Sequence, residues 1–130
     1  MLIFKIIPPQ EWEEAEKAGI YFGSEHDNRD GFLHFSTAAQ LPETLRRHYP
    51  NAWAVVIVAV RAAALGDALK FEHAPSRNDN FPHLYGPLEL IHEPPERATI
   101  LSTYCTVPGQ DFLQQWLDDL NAKYGGKNPL

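Results

Sequence analysis

Residues 81–88 are Phe-Pro-His-Leu-Tyr-Gly-Pro-Leu, an octet that places a histidine and a tyrosine between prolines and a glycine. In extended backbone alternate side chains share a face, so His83 and Tyr85 point the same way as Phe81. The prolines restrict φ, and Gly86 lets the chain turn or approach a ligand closely. The octet predicts a rigid strand that presents polar groups to a ligand. The alternative is an edge strand whose polar tips bond to backbone groups.

A second segment, residues 30–37, is Asp-Gly-Phe-Leu-His-Phe-Ser-Thr. A turn dipeptide followed by alternating residues predicts a short strand with Phe32, His34 and Ser36 on one face. An imidazole two residues from a hydroxyl offers both donors and acceptors, as binding of a ribose requires. A core histidine and a helix-capping serine are the structural alternatives.

These two motifs, the wider stretch 30–45 and the stretch 64–72 resemble a bacterial family called a domain of unknown function, numbered nine hundred and fifty-two. The resemblance covers about residues 1–92. Known members of that family are similar in architecture to ADP-ribosyltransferases. The resemblance therefore implies an α+β fold, with a split and mostly antiparallel sheet flanked by helices.

The same resemblance implies roles for two residues. His34 matches the histidine that holds the NAD ribose in those transferases, and Tyr85 can supply the ring that stacks on nicotinamide. Those transferases also use a glutamate on a late strand, and neither Glu72 nor Glu89 lies in a sequence motif that clearly matches it. The site is expected between the strands of His34 and His83, with His83 positioning or protonating an acceptor.

The loop before the octet carries Arg77, whose guanidinium can bind a phosphate or carboxylate, although an exposed loop arginine is the alternative. The full set of candidates follows from these arguments. The catalytic candidates are His34, His83 and Tyr85, and the ligand-binding candidates are Ser36, Thr37, Glu72 and Arg77. We predict no metal site, with a metal held by His34, His83 and a carboxylate as the alternative.

Composition restricts the function further. The 130 residues carry a formal net charge of -6 and are 44% hydrophobic, which predicts one domain with a sizeable core and makes nucleic-acid binding unlikely. The single cysteine, Cys105, excludes an internal disulfide and is typical of a reducing compartment. No apolar run is long enough to span a membrane and no secretory signal is visible, so a cytoplasmic location is expected.

The pattern of the remaining chain predicts strands, helices and loops in alternation. The expected domain comprises a family-like core at about 1–92, a strand and helix extension at about 93–124, and a loose tail at 125–130. Within it we expect strands at 2–7, 53–60, 69–73 and 100–107 and a polar loop at 24–31. Helices are expected from Pro9 to Gly19 and after Pro108. Residues 37–49 are expected to hold one bent helix or two short helices, begun by a Thr37–Gln40 capping box.

The sequence thus predicts a pocket for a small-molecule or nucleotide-like ligand, with NAD as a possible cofactor and ribosyl transfer or cleavage as the reaction. The alternative is a non-catalytic module that binds a small metabolite or a protein. The oligomeric state stays open. The apolar stripe of the terminal helix is expected to pack on its own domain, with a partner chain as the alternative.

Overall fold

A computed structural model describes residues 1–50, 54–106 and 112–124. Short strands and helices alternate along the chain, with 3-10 turns at Ala62–Ala68 and Pro95–Arg97. The elements are, in order, β1 (Leu2–Ile7), α1 (Pro9–Ala18), β2 (Ile20–Tyr21), α2 (Glu25–Asp30), β3 (Leu33–His34), α3 (Leu41–His48), β4 (Val56–Arg61), β5 (Leu69–Ala74), β6 (Asp79–Leu84), β7 (Leu88–Glu89), β8 (Ile100–Cys105) and α4 (Leu113–Tyr124).

Local signals explain the first of these elements. α1 begins at Pro9, whose missing N–H is not needed in a first turn, and ends before Gly19, which has a left-handed φ of 77°. The amide of Gly19 donates to the carbonyl of Ala15, which closes the helix. Both bounds confirm the sequence prediction. The predicted tail at 125–130, and the predicted strand ends at Trp53 and Val107, lie outside the described residues.

The main sheet has the strand order β1-β4-β8, and both pairings are antiparallel. β4 is the central strand and is apolar on both faces, as its sequence predicts. Its side chains alternate between two buried clusters, since Val56, Val58 and Val60 contact one and Ile57 and Ala59 the other.

A second sheet has the order β3-β6-β5, also antiparallel, and pairs Leu33 with Leu84 and His34 with His83. The amide of Phe35 donates to the carbonyl of Pro82 at 3.0 Å, a pairing that requires no N–H from the proline.

The two sheets meet at one bridge, in which the amide and carbonyl of Ser36 bond to those of Phe4. β2 and β7 form a short additional pair. The α+β class and the antiparallel sheets are therefore confirmed.

One predicted loop is wrong. Most of residues 24–31 form α2 (Glu25–Asp30), because Ser24 and Asp27 make a reciprocal cap: the Ser24 hydroxyl accepts from the Asp27 amide at 3.1 Å, and the Asp27 carboxylate accepts from the Ser24 amide at 2.9 Å. The predicted Thr37–Gln40 pair does form both reciprocal bonds, but they close a turn before the helix, because α3 begins at Leu41 and has no side-chain cap bond of its own. The first cap was missed because Asp takes the position that Glu or Gln normally occupies.

The strand β5 lies at the edge of its sheet, so the face shared by Leu69, Phe71 and His73 is more exposed than expected for a core face. Phe71 is 45% exposed and His73 lies at a cavity rim. No helix among the described residues is long and apolar enough to cross a bilayer.

The terminal helix α4 packs on its own chain, as predicted. Leu117 and Leu120 are buried in the cluster that also holds Phe4 and Ile57. The Trp116 ring lies edge-on to Phe4, with centroids 5.7 Å apart.

Leu120→Ala is therefore expected to lower the free energy of unfolding by about 2 kcal/mol, the low end for a buried leucine, because one side of α4 faces solvent. Urea unfolding of the variant and of the exposed control Gln115→Ala measures it. The control should stay within about 0.5 kcal/mol of the parent. Equal stability of the two variants would contradict the packing of α4 on the core.

Candidate functional site

A cavity of about 700 Å³ lies beside the Phe4–Ser36 bridge, where the two three-stranded sheets diverge. Side chains from β1, α2, β3, α3, β5 and β6 line it. All six histidines of the chain are in the described part, and the cavity wall includes five of them: His26, His34, His48, His73 and His83. Histidine is the side chain that exchanges protons near neutral pH, so this wall is suited to proton transfer and to binding anions.

The first carboxylate–imidazole pair in the cavity wall consists of Asp27 and His34. Asp27 is 1% exposed, and its Oδ1 accepts from Nδ1 of His34 at 2.6 Å and from the His34 amide at 3.1 Å. The same carboxylate binds the buried Lys5 ammonium, with Nζ 2.9 Å from Oδ2. Asp27 therefore joins α2 to both β1 and β3.

Several contacts determine the charge of this carboxylate. Burial by itself raises the pKa of Asp27, but the hydrogen bond from His34, the charge of Lys5 and the Ser24 amide outweigh it and hold that pKa well below its usual range. Burial lowers the pKa of Lys5, and attraction to Asp27 offsets only part of that effect. The pair is nevertheless a direct buried ion pair.

The outer nitrogen of His34, Nε2, lies 2.9 Å from Oδ2 of Asp30. The His26 ring stacks on the His34 ring, with centroids 4.4 Å apart. His26, Asp30 and His34 each present one possible metal-ligand atom, and these atoms lie within 4.8 Å of one another. His83 does not belong to this group, so the described residues do not bring together the alternative set of His34, His83 and a carboxylate.

A second carboxylate–imidazole pair lies on β5 and β6. Oε1 of Glu72 accepts from Nδ1 of His83 at 2.9 Å and from the Tyr85 hydroxyl at 2.6 Å. Both bonds lower the pKa of Glu72, and the bond from Tyr85 has the larger effect. The same bond to Glu72 raises the pKa of Tyr85. Because a carboxylate can only accept, Nδ1 of His83 must carry the hydrogen, which leaves Nε2 for proton transfer.

The two pairs are neighbours across the β3–β6 ladder. His34 and His83 are cross-strand partners, and their ring centroids are 5.6 Å apart. The Phe32 ring packs against both, stacked on His83 at 4.0 Å and tilted against His34 at 4.6 Å. Two imidazoles, each oriented by a carboxylate, thus face one cavity, an arrangement suited to general acid–base chemistry.

Arg77 forms another part of the wall. Its Nη1 donates to the Thr44 hydroxyl at 3.0 Å, and its guanidinium lies 4.7 Å from the centre of the Phe81 ring. Thr44 also accepts from the Ser36 hydroxyl at 3.1 Å. Within residues 1–50, 54–106 and 112–124, Arg77 forms no ion pair with a carboxylate.

Two pKa values in this region are lowered mainly by burial and to a smaller extent by neighbouring positive charge. Burial, and then the charge of Arg47, lower the pKa of Arg77. Burial lowers the pKa of His48 as well, with smaller contributions from the charges of His26 and Arg77. A nearby negative charge would stabilise the Arg77 guanidinium, so this part of the wall favours an anionic ligand.

The structure brings together four of the seven predicted site residues. His34, Ser36, Arg77 and His83 line the cavity. Glu72 and Tyr85 are not among the lining residues, and Thr37 is engaged in its turn with Gln40.

The expectation that Tyr85 shares the cavity with His34, Ser36 and His83 is therefore wrong. Tyr85 is 42% exposed and lies just beyond the end of β6, where its hydroxyl is drawn to Glu72 on the edge strand. Phe32 is the aromatic side chain that packs against both histidines.

Other residues of the site were missed from the sequence. Lys5 is the one charged residue of an apolar strand, and Asp27 was placed in a loop. The spacing His26-x3-Asp30-x3-His34, with the first two on one helical turn, was a signal that could have been recognised.

Comparison with known proteins agrees with this fold. A family model described as "Protein of unknown function (DUF952)" matches residues 6–92. The crystal structure of protein CC0527 from Caulobacter crescentus has a TM-score of 0.71 and 34% identity, over 81% of this chain and 85% of that one. The solution NMR structure of CC0527 has a TM-score of 0.64 and 35% identity, over 79% of this chain and 82% of that one. No curated protein matches the chain.

The family match has a simple relation to the site. It includes β3 and β6, with both carboxylate–imidazole pairs, and it ends before β8 and α4. Of the cavity-lining residues, Phe4 and Lys5 on β1 precede it. The chemical groups of the cavity are therefore concentrated in the matched part of the chain.

Proposed function

The chain belongs to the DUF952 family, whose description assigns no chemistry, and from the cavity we propose that the protein binds an NAD-type or other nucleotide-like ligand and transfers or cleaves its ribosyl group. One observation carries this proposal. The histidines of the Asp27–His34 and Glu72–His83 pairs are cross-strand partners on β3 and β6, and both imidazoles line the same cavity.

The binding part of the proposal rests on the size and polarity of the cavity. A volume of about 700 Å³ is within the usual range for small-molecule sites. Arg77 has no carboxylate partner in the described residues and is suited to a phosphate. The Ser36 hydroxyl donates to Thr44, so its oxygen is available to accept from a ribose hydroxyl. Nε2 of His34, on release from Asp30, supplies the second ribose contact.

The chemical part concerns His83. When an NAD-type donor reacts, the bond from C1′ to the nicotinamide nitrogen breaks with its electron pair on that nitrogen, while the acceptor oxygen attacks C1′. Nicotinamide leaves as a neutral ring, so the group that requires a base is the acceptor O–H. Nε2 of His83 takes that proton, and Glu72 stabilises the imidazolium that forms.

One observation favours the second candidate, a binding module without catalysis. Glu72 does not line the cavity, and among the described lining residues the carboxylates are Asp27 and Asp30. Asp27 is already occupied by Lys5 and His34. A free glutamate that would stabilise positive charge on the ribosyl carbon is therefore not among these lining residues.

The ligand proposal predicts a rise in melting temperature with NAD, ADP-ribose or a related nucleotide, because a ligand selective for the folded state stabilises it by about 2.7 kcal/mol at one hundred times its Kd. A thermal-shift screen should include adenosine and nicotinamide as fragments without phosphate. His34→Ala should weaken every ribose-containing ligand by about tenfold or more, since it removes a hydrogen bond inside the cavity.

Arg77→Ala gives the sharper comparison. It should weaken ADP-ribose by about ten- to hundredfold and leave adenosine unchanged, because only the former has a phosphate. His92→Ala is the matched control, since His92 is the histidine outside the cavity wall. Equal losses for both ligands in Arg77→Ala, or no ligand at all in the screen, would contradict the proposal. Chromatographic detection of released nicotinamide distinguishes an enzyme from a binding module.

A further inference from the structure

Three side chains next to the His34 ring form a group that the proposed ribosyl chemistry does not use as a whole. His26 and Asp30 lie four residues apart on α2, so they share one face of that helix, and His34 follows on β3. All three line the cavity. Two imidazoles and one carboxylate are a donor set that proteins use for transition metals.

The distances within the group are compatible with one ion. The possible ligand atoms lie within 4.8 Å of one another, with Nε2 of His34 at 2.9 Å and Nε2 of His26 at 3.6 Å from Oδ2 of Asp30. His26 and Asp30 are exposed, so their side chains have room to move toward a shared ion.

A separate observation concerns the orientation of His34. Its Nδ1–H donates to the buried Asp27 carboxylate, which is held in turn by Lys5 and by the Ser24 amide. Metal-binding histidines usually donate their second ring nitrogen to such a carboxylate, which fixes the tautomer and turns the lone pair of Nε2 outward. Asp27 thus leaves Nε2 as the nitrogen of His34 that binds the metal, which displaces the hydrogen that Nε2 donates to Asp30 in the ion-free protein.

From this arrangement we propose that His26, Asp30 and His34 bind a divalent transition-metal ion of the Zn²⁺ type, with a remaining coordination position open to the cavity. Three protein ligands and one open position are typical of catalytic rather than structural zinc sites. Mg²⁺ and Ca²⁺ prefer oxygen ligands, so the two imidazoles argue against them.

Arg29 opposes this binding in the ion-free protein. Its Nη2 lies 2.5 Å from Nδ1 of His26, so Nδ1 accepts and Nε2 carries the hydrogen. A neutral imidazole bound to metal through Nε2 needs the opposite tautomer. Arg29 must therefore release His26, which it can do because its side chain is 71% exposed. Removal of Arg29 should strengthen metal binding.

This inference goes beyond the proposed function and does not rest on it. A metal on Nε2 of His34 takes the nitrogen that the ribosyl proposal gives to a ribose hydroxyl, so the two direct contacts exclude each other. Because the test uses the metal alone and measures no turnover, failure of one proposal leaves the other intact.

The experiment is calorimetric titration of the full chain, freed of metal by a chelator, with Zn²⁺ and with Co²⁺. One ion per chain is expected, with visible Co²⁺ absorption typical of low coordination. His26→Ala and Asp30→Asn should each weaken binding by about tenfold or more, by analogy with the loss of groups that support a metal. Arg29→Ala should strengthen it several-fold, while His83→Ala and His92→Ala should leave it unchanged.

Each contrary result has a definite meaning. Absence of stoichiometric binding, or equal affinity in the parent, His26→Ala and Asp30→Asn, would overturn the site. A loss in His83→Ala as large as that in His26→Ala would overturn this ligand set in favour of one between the paired strands. Weaker binding in Arg29→Ala would overturn the assignment of His26 as a ligand. Melting curves of all five variants verify that each is folded.

Discussion

Asp27→Asn is expected to lower the free energy of unfolding by about 3–5 kcal/mol, the range for a buried ion pair that loses one partner. Lys5 is buried, and its ammonium has the Asp27 carboxylate as its direct ion-pair partner. The substitution leaves that charge uncompensated and also weakens the bonds from His34 and Ser24. Urea unfolding at pH 7 measures the loss.

The double variant Lys5→Met with Asp27→Asn distinguishes the charge from the hydrogen bonds. Removing both charges relieves the uncompensated ammonium, so the double variant should be more stable than Asp27→Asn alone. If the double variant were the less stable of the two, the loss would have to come from the caps and the histidine contact rather than from Lys5.

The lowered pKa of Asp27 gives this carboxylate a defined pH dependence. Its stabilising contribution is present above its ordinary pKa of 3.8 and is lost as the pH falls below that value through the lowered pKa of the folded state. The parent should therefore lose stability in acid more steeply than Asp27→Asn. Parallel acid-unfolding curves for the two proteins would contradict the assignment of a charged Asp27.

The second large effect is expected at His83. If the protein catalyses ribosyl transfer, His83→Ala should lower turnover by about two to four orders of magnitude while ligand affinity changes only a few-fold. The reason is that Nε2 of His83 acts on the acceptor proton, a contact that matters in the transition state more than in the bound ligand. Turnover of the best ligand from the screen, together with calorimetry, gives both quantities.

Glu72→Gln is the companion variant, because an amide keeps the shape of the carboxylate but can present a donor to the His83 ring. It should lower turnover less than His83→Ala and shift the pH profile of turnover, since the imidazolium loses its negative partner. His92→Ala again serves as the control. A His83→Ala protein that turned over at the parent rate would remove this residue from the reaction and leave the binding module as the better candidate.

Local patterns were sufficient for much of the fold. Pro9 and Gly19 mark the ends of α1, the apolar run of β4 marks a central strand, and the octet 81–88 marks β6 with its histidine. The placement of His34 beside His83 also followed from the sequence, because alternation assigns each a face.

The rest of the site depends on contacts between distant residues, which periodicity does not encode. Lys5 and Asp27 are separated by 22 positions. A lone lysine in an apolar strand gives no indication of its partner, and Asp27 looked like part of a solvated loop. The prediction that Tyr85 lines the cavity was wrong for the same reason, because its hydroxyl donates to Glu72 on the neighbouring strand.

Two consecutive residues of β1 connect the main sheet to the site: Phe4 bridges to Ser36, and Lys5 binds Asp27. Lys5 lies on the face that carries Ile3 and Ile7 into a buried cluster. A slip of β1 by one residue against β4 would exchange its two faces, bury a side chain of the wrong kind and leave Asp27 without its cation. The first strand contributes no reacting group, but its register determines whether the site forms. Only a chain with the correct register assembles the Lys5–Asp27 ion pair on which the orientation of His34 depends.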